Sequence, residues 1–232
     1  MDSVLRREIK YILKGEEREK YINIFDSVLK RDSFSNNSSY KVRSLYFDTP
    51  YNKDFYEKIN EQELRKKVRI RIYSPNDKFA KLELKQKQDV FQKKRSLKIT
   101  KEDAIKLING EYHILLKYDE EFAREMYVTM AEGCYRPKTV IEYDRLAFMA
   151  KENHIRITFD YNISSTEINF NIFDEKLALY PIMDKYYTVL EVKYDKFMLG
   201  YIADIIKGID KRPITSSKYC MGRNVTIPLM YV

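Results

Sequence analysis

Basic residues alternate with apolar residues in several short segments of this chain. The clearest segments are residues 67–73 and 81–87, and shorter copies occur at 8–10, 156–160 and 191–193. Alternation with a period of two is typical of a β-strand with two unlike faces, so one face of each strand collects arginine and lysine. Arginine binds phosphate oxygens through its planar fork, whereas lysine acts as a compact point charge. The pattern therefore predicts a binding site for a phosphate-rich anion.

Carboxylates interrupt this basic face, and they suggest a metal. Glu8 and Glu191 each stand two residues before a lysine in an alternating segment. A hard divalent cation that joins such a carboxylate to phosphate oxygens would give both groups a function. The alternation could also be the solvated face of an ordinary antiparallel sheet. The recurrence of arginine and lysine on strand after strand favours a polyanion instead.

Other catalytic chemistries have little support in the sequence. The chain has only six glycines and no Gly-x-x-x-x-Gly-Lys segment, so a phosphate-binding glycine loop is absent. His113 and His154 are far apart and accompany no nucleophile motif, and we interpret them as structural or surface residues. Cys134 and Cys220 lack the paired spacing of a zinc site or a disulfide, which indicates reduced thiols in a cytoplasmic protein.

Length and charge limit the possible classes of protein. The 232 residues fit one domain over 1–232, and Lys plus Arg exceed Asp plus Glu by 43 to 35, a formal net charge of +8. This charge favours anionic partners such as phosphates or anionic membrane surfaces. No aromatic-rich RNA-binding motif is present, so we expect no nucleic acid partner. No apolar run is long enough to span a membrane.

The predicted elements are seven or eight strands interleaved with four helices, which gives an α+β fold class. Eight antiparallel strands can close into a barrel whose interior holds side chains or a small ligand. If the basic face points into the interior of this barrel, the apolar residues that alternate with the basic ones (the apolar alternates) lie outside, where amphipathic helices can cover them. These alternates are Val68, Ile70, Ile72, Leu82, Leu84, Leu190 and Val192.

These features together resemble the triphosphate tunnel metalloenzymes, and within them the VTC (vacuolar transporter chaperone) domain of polyphosphate polymerases. The resemblance covers nearly the whole chain and rests on the number and order of short segments: EIKY at 8–11, SLYFDT at 44–49, VRIR at 68–71, LELK at 82–85, YDRLAF at 143–148, RITFD at 156–160, LEVK at 190–193 and SKY at 217–219. It implies an eight-stranded antiparallel tunnel with a basic lumen and helices packed outside.

The resemblance also implies roles for individual residues. The residues that match catalytic phosphate ligands of the family are Lys10, Arg69, Arg71, Lys85, Arg145, Arg156 and Lys218. Further substrate-binding candidates are Lys81, Lys94, Tyr143, Lys193 and Ser217. Glu191 matches the ligand of Mn²⁺ or Mg²⁺, and Glu8 is a second metal candidate.

The activity that follows from the resemblance is a metal-dependent phosphotransferase reaction, in which the γ-phosphate of ATP passes to a growing polyphosphate chain. The first alternative is a triphosphate hydrolase on the same scaffold, acting on inorganic triphosphate or on a nucleoside triphosphate. Hydrolases of this superfamily usually begin with Glu-x-Glu-x-Lys, and Arg6 occupies the first position here, which favours the polymerase. The second alternative is a non-catalytic module that binds polyphosphate or RNA. By family analogy, we also expect a membrane protein partner for product export at the inner face of the membrane.

Overall fold

The computed structural model describes residues 6–35, 38–88 and 91–227. Ten strands occur in this described part: β1 (Arg6–Lys14), β2 (Lys30–Arg31), β3 (Tyr40–Asp48), β4 (Leu64–Ile72), β5 (Phe79–Gln88), β6 (Phe91–Thr100), β7 (Arg136–Met149), β8 (Arg156–Thr166), β9 (Tyr180–Pro181) and β10 (Tyr187–Asp195). Six α-helices accompany them: α1 (Gly15–Val28), α2 (Lys53–Ile59), α3 (Lys101–Ile108), α4 (Glu121–Glu132), α5 (Gly200–Lys207) and α6 (Lys218–Arg223). Short 3₁₀ helices cover Tyr112–Lys117 and Glu152–His154.

The strands pair in one antiparallel sheet whose main order is β1-β10-β8-β7-β3-β4-β5-β6. The short strands β2 and β9 pair with β7 and β8 outside this order. The main order contains eight strands, as the sequence predicts, but β1 and β6 are its two ends and the sheet is open in the described part of the chain. A closed eight-stranded barrel is therefore not confirmed. No helix among the described residues is long and apolar enough to cross a membrane.

The chain divides into two compact units. The first comprises residues 1–41, 143–163 and 183–216, and its core forms where α1 and α5 cover the apolar face of β1, β8 and β10. Leu190 and Val192 lie in this core with Tyr21, Phe25 and Ile202. The predicted covering of the apolar alternates by helices is confirmed in this unit.

The second unit comprises residues 42–142, 164–182 and 217–232. Its larger core lies on the apolar face of β3, β4, β5 and β6, beneath α3, α4 and the 3₁₀ helix at Tyr112–Lys117. The predicted outer residues Val68, Ile70, Ile72, Leu82 and Leu84 are all buried there. Thr100 begins α3 by accepting the N–H of Asp103 on its hydroxyl at 3.1 Å, which caps the helix.

The C-terminal segment differs from the sequence prediction. The described part of the chain has six α-helices where the sequence predicts four, and one of the additional helices is α6, which Ser217 caps by accepting the N–H of Cys220. Six residues are too few to form a stable helix by propensity alone, so contacts must hold it in place. Tyr219 supplies them: its hydroxyl donates to Asp48 at 2.5 Å, and its ring stacks on Tyr46 with 5.2 Å between centroids.

Asp48 and Asp54 form a buried carboxylate pair at the start of α2. Asp48 accepts the backbone N–H groups of Asp54 and Phe55 at 3.0 and 2.9 Å, which satisfies the free donors of the first helical turn. The Tyr135 hydroxyl lies 2.9 and 3.0 Å from the two oxygens of Asp54. Burial and the neighbouring charge of Asp48 raise the pKa of Asp54 to about 8.

Candidate functional site

The charged faces of β1, β10 and β8 form two rows in the first unit. Antiparallel partners place their side chains on the same face, so the register decides which side chains become neighbours. Lys10 pairs with Glu191, and Glu191 pairs with Thr158. The adjacent row contains Glu8, Lys193 and Arg156.

Glu191 lies at the centre of these rows and is almost completely buried, with 6% of the residue exposed. Its carboxylate is 2.9 Å from the ammonium of Lys193, 3.9 Å from the guanidinium of Arg145 and 4.0 Å from the ammonium of Lys10. Lys10 also contacts Glu8 at 2.8 Å. Burial by itself lowers the pKa of Lys10, but Glu191 and Glu8 outweigh burial and the net pKa is raised, so the ammonium stays charged.

Arg145 projects from β7 and forms a two-point ion pair with Asp160 on β8. Its Nε and Nη2 donate to the two carboxylate oxygens at 2.6 and 2.7 Å. Asp160 is fully buried and 8% of Arg145 is exposed. The guanidinium also lies 5.1 Å from the ring centroid of Tyr143, a predicted substrate-binding residue. The sequence prediction placed Arg145 among phosphate ligands but did not include Asp160.

Arg156 is more exposed to solvent than Arg145, and its ion-pair partner lies outside the two rows. Its Nη2 donates to Asp32 at 2.6 Å and to the Tyr40 hydroxyl at 3.0 Å. The other oxygen of Asp32 accepts the backbone N–H groups of Phe34 and Ser35, so the loop after β2 fixes the carboxylate. Asp32 is a second carboxylate at the site that the sequence interpretation did not find.

In the second unit, three cations share one carboxylate on the charged face of β4, β5 and β6. Glu83 is 2% exposed and accepts from Arg69 Nε at 2.7 Å and from Lys94 Nζ at 2.5 Å, and Arg71 lies at 3.9 Å. Burial raises the pKa of Glu83, but Arg69, Arg71 and Lys94 reverse that effect and the net pKa falls well below its usual range. Glu83 therefore remains an anion and holds the three cations together.

The segment that begins α6 is attached to the basic strand β4 at two points within this unit. Lys67 donates to the Ser217 hydroxyl at 2.7 Å. Arg69 donates to the Tyr46 hydroxyl at 3.0 Å, and Tyr46 stacks on Tyr219. The fold thus brings the predicted residue Ser217 to the same strand as Arg69, and Lys218 follows it as the first residue of α6.

Lys81 and Lys85 differ in exposure although both lie on the charged face of β5. Lys85 is half-buried and pairs in register with Lys67 and Lys94. Lys81 is exposed at the end of the strand, with its ammonium 5.4 Å from the centroid of the Tyr73 ring. The register still places Lys81 on the face of Arg71. Of the predicted ligands on β4 and β5, Lys81 is thus the one most open to solvent.

Comparison with known proteins gives a family match over almost the whole chain. The model of the VTC domain family matches residues 5–227. The chain belongs to the VTC domain family. The resemblance that the short sequence segments indicate is confirmed.

The fold of this VTC domain also occurs in solved structures of low sequence identity. A crystal structure from Bacillus halodurans, of a protein provisionally named an adenylate cyclase, has a TM-score of 0.55 at 10% identity and covers 93% of this chain and 94% of its own. A conserved hypothetical protein from Pyrococcus furiosus has a TM-score of 0.45 at 12% identity, with 88% and 87% covered. No curated protein matches the sequence. At such identities only the fold similarity of the Bacillus protein is informative.

The carboxylates of the first unit can be compared with the ligands that a divalent metal needs. No group of three or more His, Cys, Asp or Glu side chains suitable for a metal occurs among the described residues. Glu191 and Glu8 supply two carboxylates that share Lys10 and Lys193 as neighbours. Mg²⁺ is commonly bound through one or two carboxylates, with substrate phosphates and water completing its shell. The residues of this VTC domain fit that mode of binding and do not form a complete protein cage.

Five residues contact the predicted ligands but are not themselves predicted by the sequence. They are Asp32, Tyr46, Lys67, Glu83 and Asp160. Lys67 and Glu83 lie inside the alternating segments and on the same face as the predicted ligands, so the alternation could have identified them. Asp32 follows a two-residue strand and carries no such signal.

Proposed function

We propose that the chain is a metal-dependent polyphosphate polymerase that transfers the γ-phosphate of ATP to a growing polyphosphate chain. Membership of the VTC domain family supports this activity, because the resemblance connects the domain with polyphosphate polymerases. The closed eight-stranded tunnel is part of the same proposal.

The observation that carries the proposal is the burial of cations on the charged face, together with their excess over carboxylates on β4 and β5. Arg71 and Arg145 are each 8% exposed, although the opposite face of their strands already packs into the apolar cores. An ordinary sheet leaves its charged face in water. Enclosed arginines and lysines are costly unless anions neutralise them, and polyphosphate supplies a negative charge on every phosphate.

The charge ratio on β4 and β5 further supports a polyanionic substrate. The register places seven cations on one face, with Glu83 as the carboxylate among them: Arg65, Lys67, Arg69, Arg71, Lys81, Lys85 and Lys87. Extended chains of phosphate match such a row because their charges repeat along a line. Arg69 and Arg71 would bind oxygens through two donors each, and the lysines would act as point charges.

The proposed reaction needs no nucleophilic side chain. The terminal oxygen of a polyphosphate chain attacks the γ-phosphorus of ATP, a new P–O bond forms, and the bond to ADP breaks with its electron pair leaving on ADP. The attacking oxygen is already ionised, so no general base is required. Lys10, Arg145 and Arg156 would neutralise charge on the transferred group, which is the main catalytic requirement of phosphoryl transfer. A divalent cation held by Glu191, with Glu8 as a second ligand, would supply further neutralisation of the phosphate oxygens.

The proposal extends to the setting of the enzyme. A cytoplasmic protein that draws on ATP would deliver its product to a membrane protein partner, at the inner face of the membrane. The net charge of +8 suits an anionic membrane surface.

The decisive experiment incubates the purified protein with ATP and Mn²⁺ and resolves the products by chain length on a gel. Long polymer supports the proposed polymerase. Orthophosphate alone supports the triphosphate hydrolase, and binding without nucleotide turnover supports a non-catalytic module. The same reaction with EDTA in place of Mn²⁺ is the control for metal dependence, and full activity in EDTA would contradict that part of the proposal.

A further inference from the structure

Thr158 on β8 has a buried hydroxyl without a partner. The residue is 3% exposed, and its Oγ1 makes no hydrogen bond within the described structure. Buried polar groups are nearly always hydrogen-bonded, because losing water without a replacement costs free energy. Valine has the same shape and would fill this position without that cost. The hydroxyl therefore calls for an explanation outside the packing of the unit.

The position of Thr158 supplies that explanation. The side chain lies on the charged face, directly opposite Glu191, and its neighbours along the same face of β8 are Arg156 and Asp160. Lys10 lies on the other side of Glu191 in the same row. A ligand oxygen held by these cations beside Glu191 would thus come within reach of a hydroxyl donor.

Thr188 shows that a buried hydroxyl without a partner does not by itself indicate a ligand-binding position. Its hydroxyl is also buried and without a partner in the described structure. Thr188 stands three residues before Glu191, so it points to the opposite face of β10, and it pairs with the core residue Leu13. The two threonines have the same chemistry and similar burial but lie on opposite faces of the sheet.

We propose that Thr158 is a further substrate-binding residue, whose hydroxyl donates a hydrogen bond to a phosphate oxygen of the ligand beside Glu191. This inference rests on the proposed function, because it requires a phosphate ligand on the charged face. The hydroxyl has no backbone or side-chain acceptor to give up when the ligand binds. It therefore contributes to affinity without a compensating loss.

The test measures the affinity for inorganic tripolyphosphate by calorimetry at low salt, once with EDTA and once with Mg²⁺. We expect Thr158→Val to weaken binding about tenfold or more in both conditions, which is the usual loss for a hydrogen bond to a charged group. Thr158→Ser keeps the hydroxyl and should retain most of the affinity. Thr188→Val is the matched control and should bind as the wild type does.

Thermal unfolding distinguishes this role from a structural one. Because Thr158→Val removes an unsatisfied buried hydroxyl, its melting temperature should equal or exceed that of the wild type. Thr158→Ala is a second variant without the hydroxyl if the valine does not fit.

The outcomes separate this inference from the proposed function. Equal affinity of the wild type and the hydroxyl-free variants overturns the role of Thr158 while leaving the proposed function intact. A loss restricted to Mg²⁺ overturns the direct phosphate contact. If wild-type protein binds no tripolyphosphate in either condition, both the inference and the proposed function fail.

Discussion

The ion pair between Arg145 and Asp160 allows the catalytic role of Arg145 to be separated from its structural role by substitutions at the two positions. Arg145→Met removes both hydrogen bonds to a carboxylate that is 0% exposed. Removing one partner of a buried pair costs about 3–5 kcal/mol of the free energy of unfolding. Replacing both partners by apolar residues of similar volume is often neutral, so Arg145→Met combined with Asp160→Leu should recover most of that loss.

Activity should not recover with stability. If Arg145 neutralises charge on the transferred phosphate, both variants lose about 10²- to 10³-fold in the rate of ATP-dependent polymer synthesis, as enzymes do when one preorganised donor is removed. Stability is measured by urea unfolding followed by circular dichroism, since the chain has no tryptophan for fluorescence. Synthesis is measured on gels that resolve chain length, at a temperature where each variant is folded.

A second buried pair provides the control. Arg43 donates to Glu142 at 2.6 Å, and its register partner Ile72 lies in the core beneath the helices. Arg43→Met should therefore lower the free energy of unfolding without a comparable loss of synthesis in the folded protein. Wild-type synthesis by the double variant at Arg145 and Asp160 would refute the catalytic role of Arg145. An unchanged free energy of unfolding in the single variant would refute the structural one.

Two further predictions concern other carboxylates. Glu191→Gln should lower ATP-dependent synthesis about 10²- to 10³-fold and weaken Mn²⁺ binding in the presence of tripolyphosphate, measured by calorimetry; unchanged metal affinity would exclude Glu191 as the ligand. Asp54 has a pKa of about 8 in the folded protein against an ordinary value of 3.8, so its stabilising effect is full below pH 3.8 and is lost as the pH rises toward 8. Relative to Asp54→Asn, the wild type should lose up to about 1.4 kcal/mol of unfolding free energy per pH unit between pH 6 and 8, measured by urea unfolding. Parallel pH profiles of the two proteins would contradict the raised pKa.

The faces of the strands could be predicted from the sequence because they depend on a local pattern. Alternation in residues 67–73 and 81–87 separates apolar from charged positions, and the apolar ones are buried beneath α3 and α4. The period of two fixes the face of each side chain as soon as the segment is a strand. It does not determine whether the sheet closes on itself.

The pairing of charges could not be predicted, because it depends on the register between distant segments. Arg156 and Asp32 are 124 positions apart in the chain, and nothing near Asp32 marks it as a partner of an arginine. Helix α6 was missed for a related reason. Its six residues are held by the contacts of Tyr219 with Asp48 and Tyr46, which the sequence alone does not reveal.

Buried cations alone do not identify a phosphate site, since carboxylates of the same unit can neutralise them. In the first unit the site cations contact an equal number of carboxylates, namely Glu8, Asp32, Asp160 and Glu191 for Lys10, Arg145, Arg156 and Lys193. On β4 and β5 of the second unit, the register instead sets seven cations against Glu83. A long polyanion is better matched by the second arrangement, whereas carboxylates close to cations suit a metal that is completed by phosphate oxygens. The second unit thus offers a cation-rich row for a polyanion, and the first unit offers carboxylates beside cations for a metal. Together these two arrangements favour phosphoryl transfer over simple anion binding more than the total charge of the chain does.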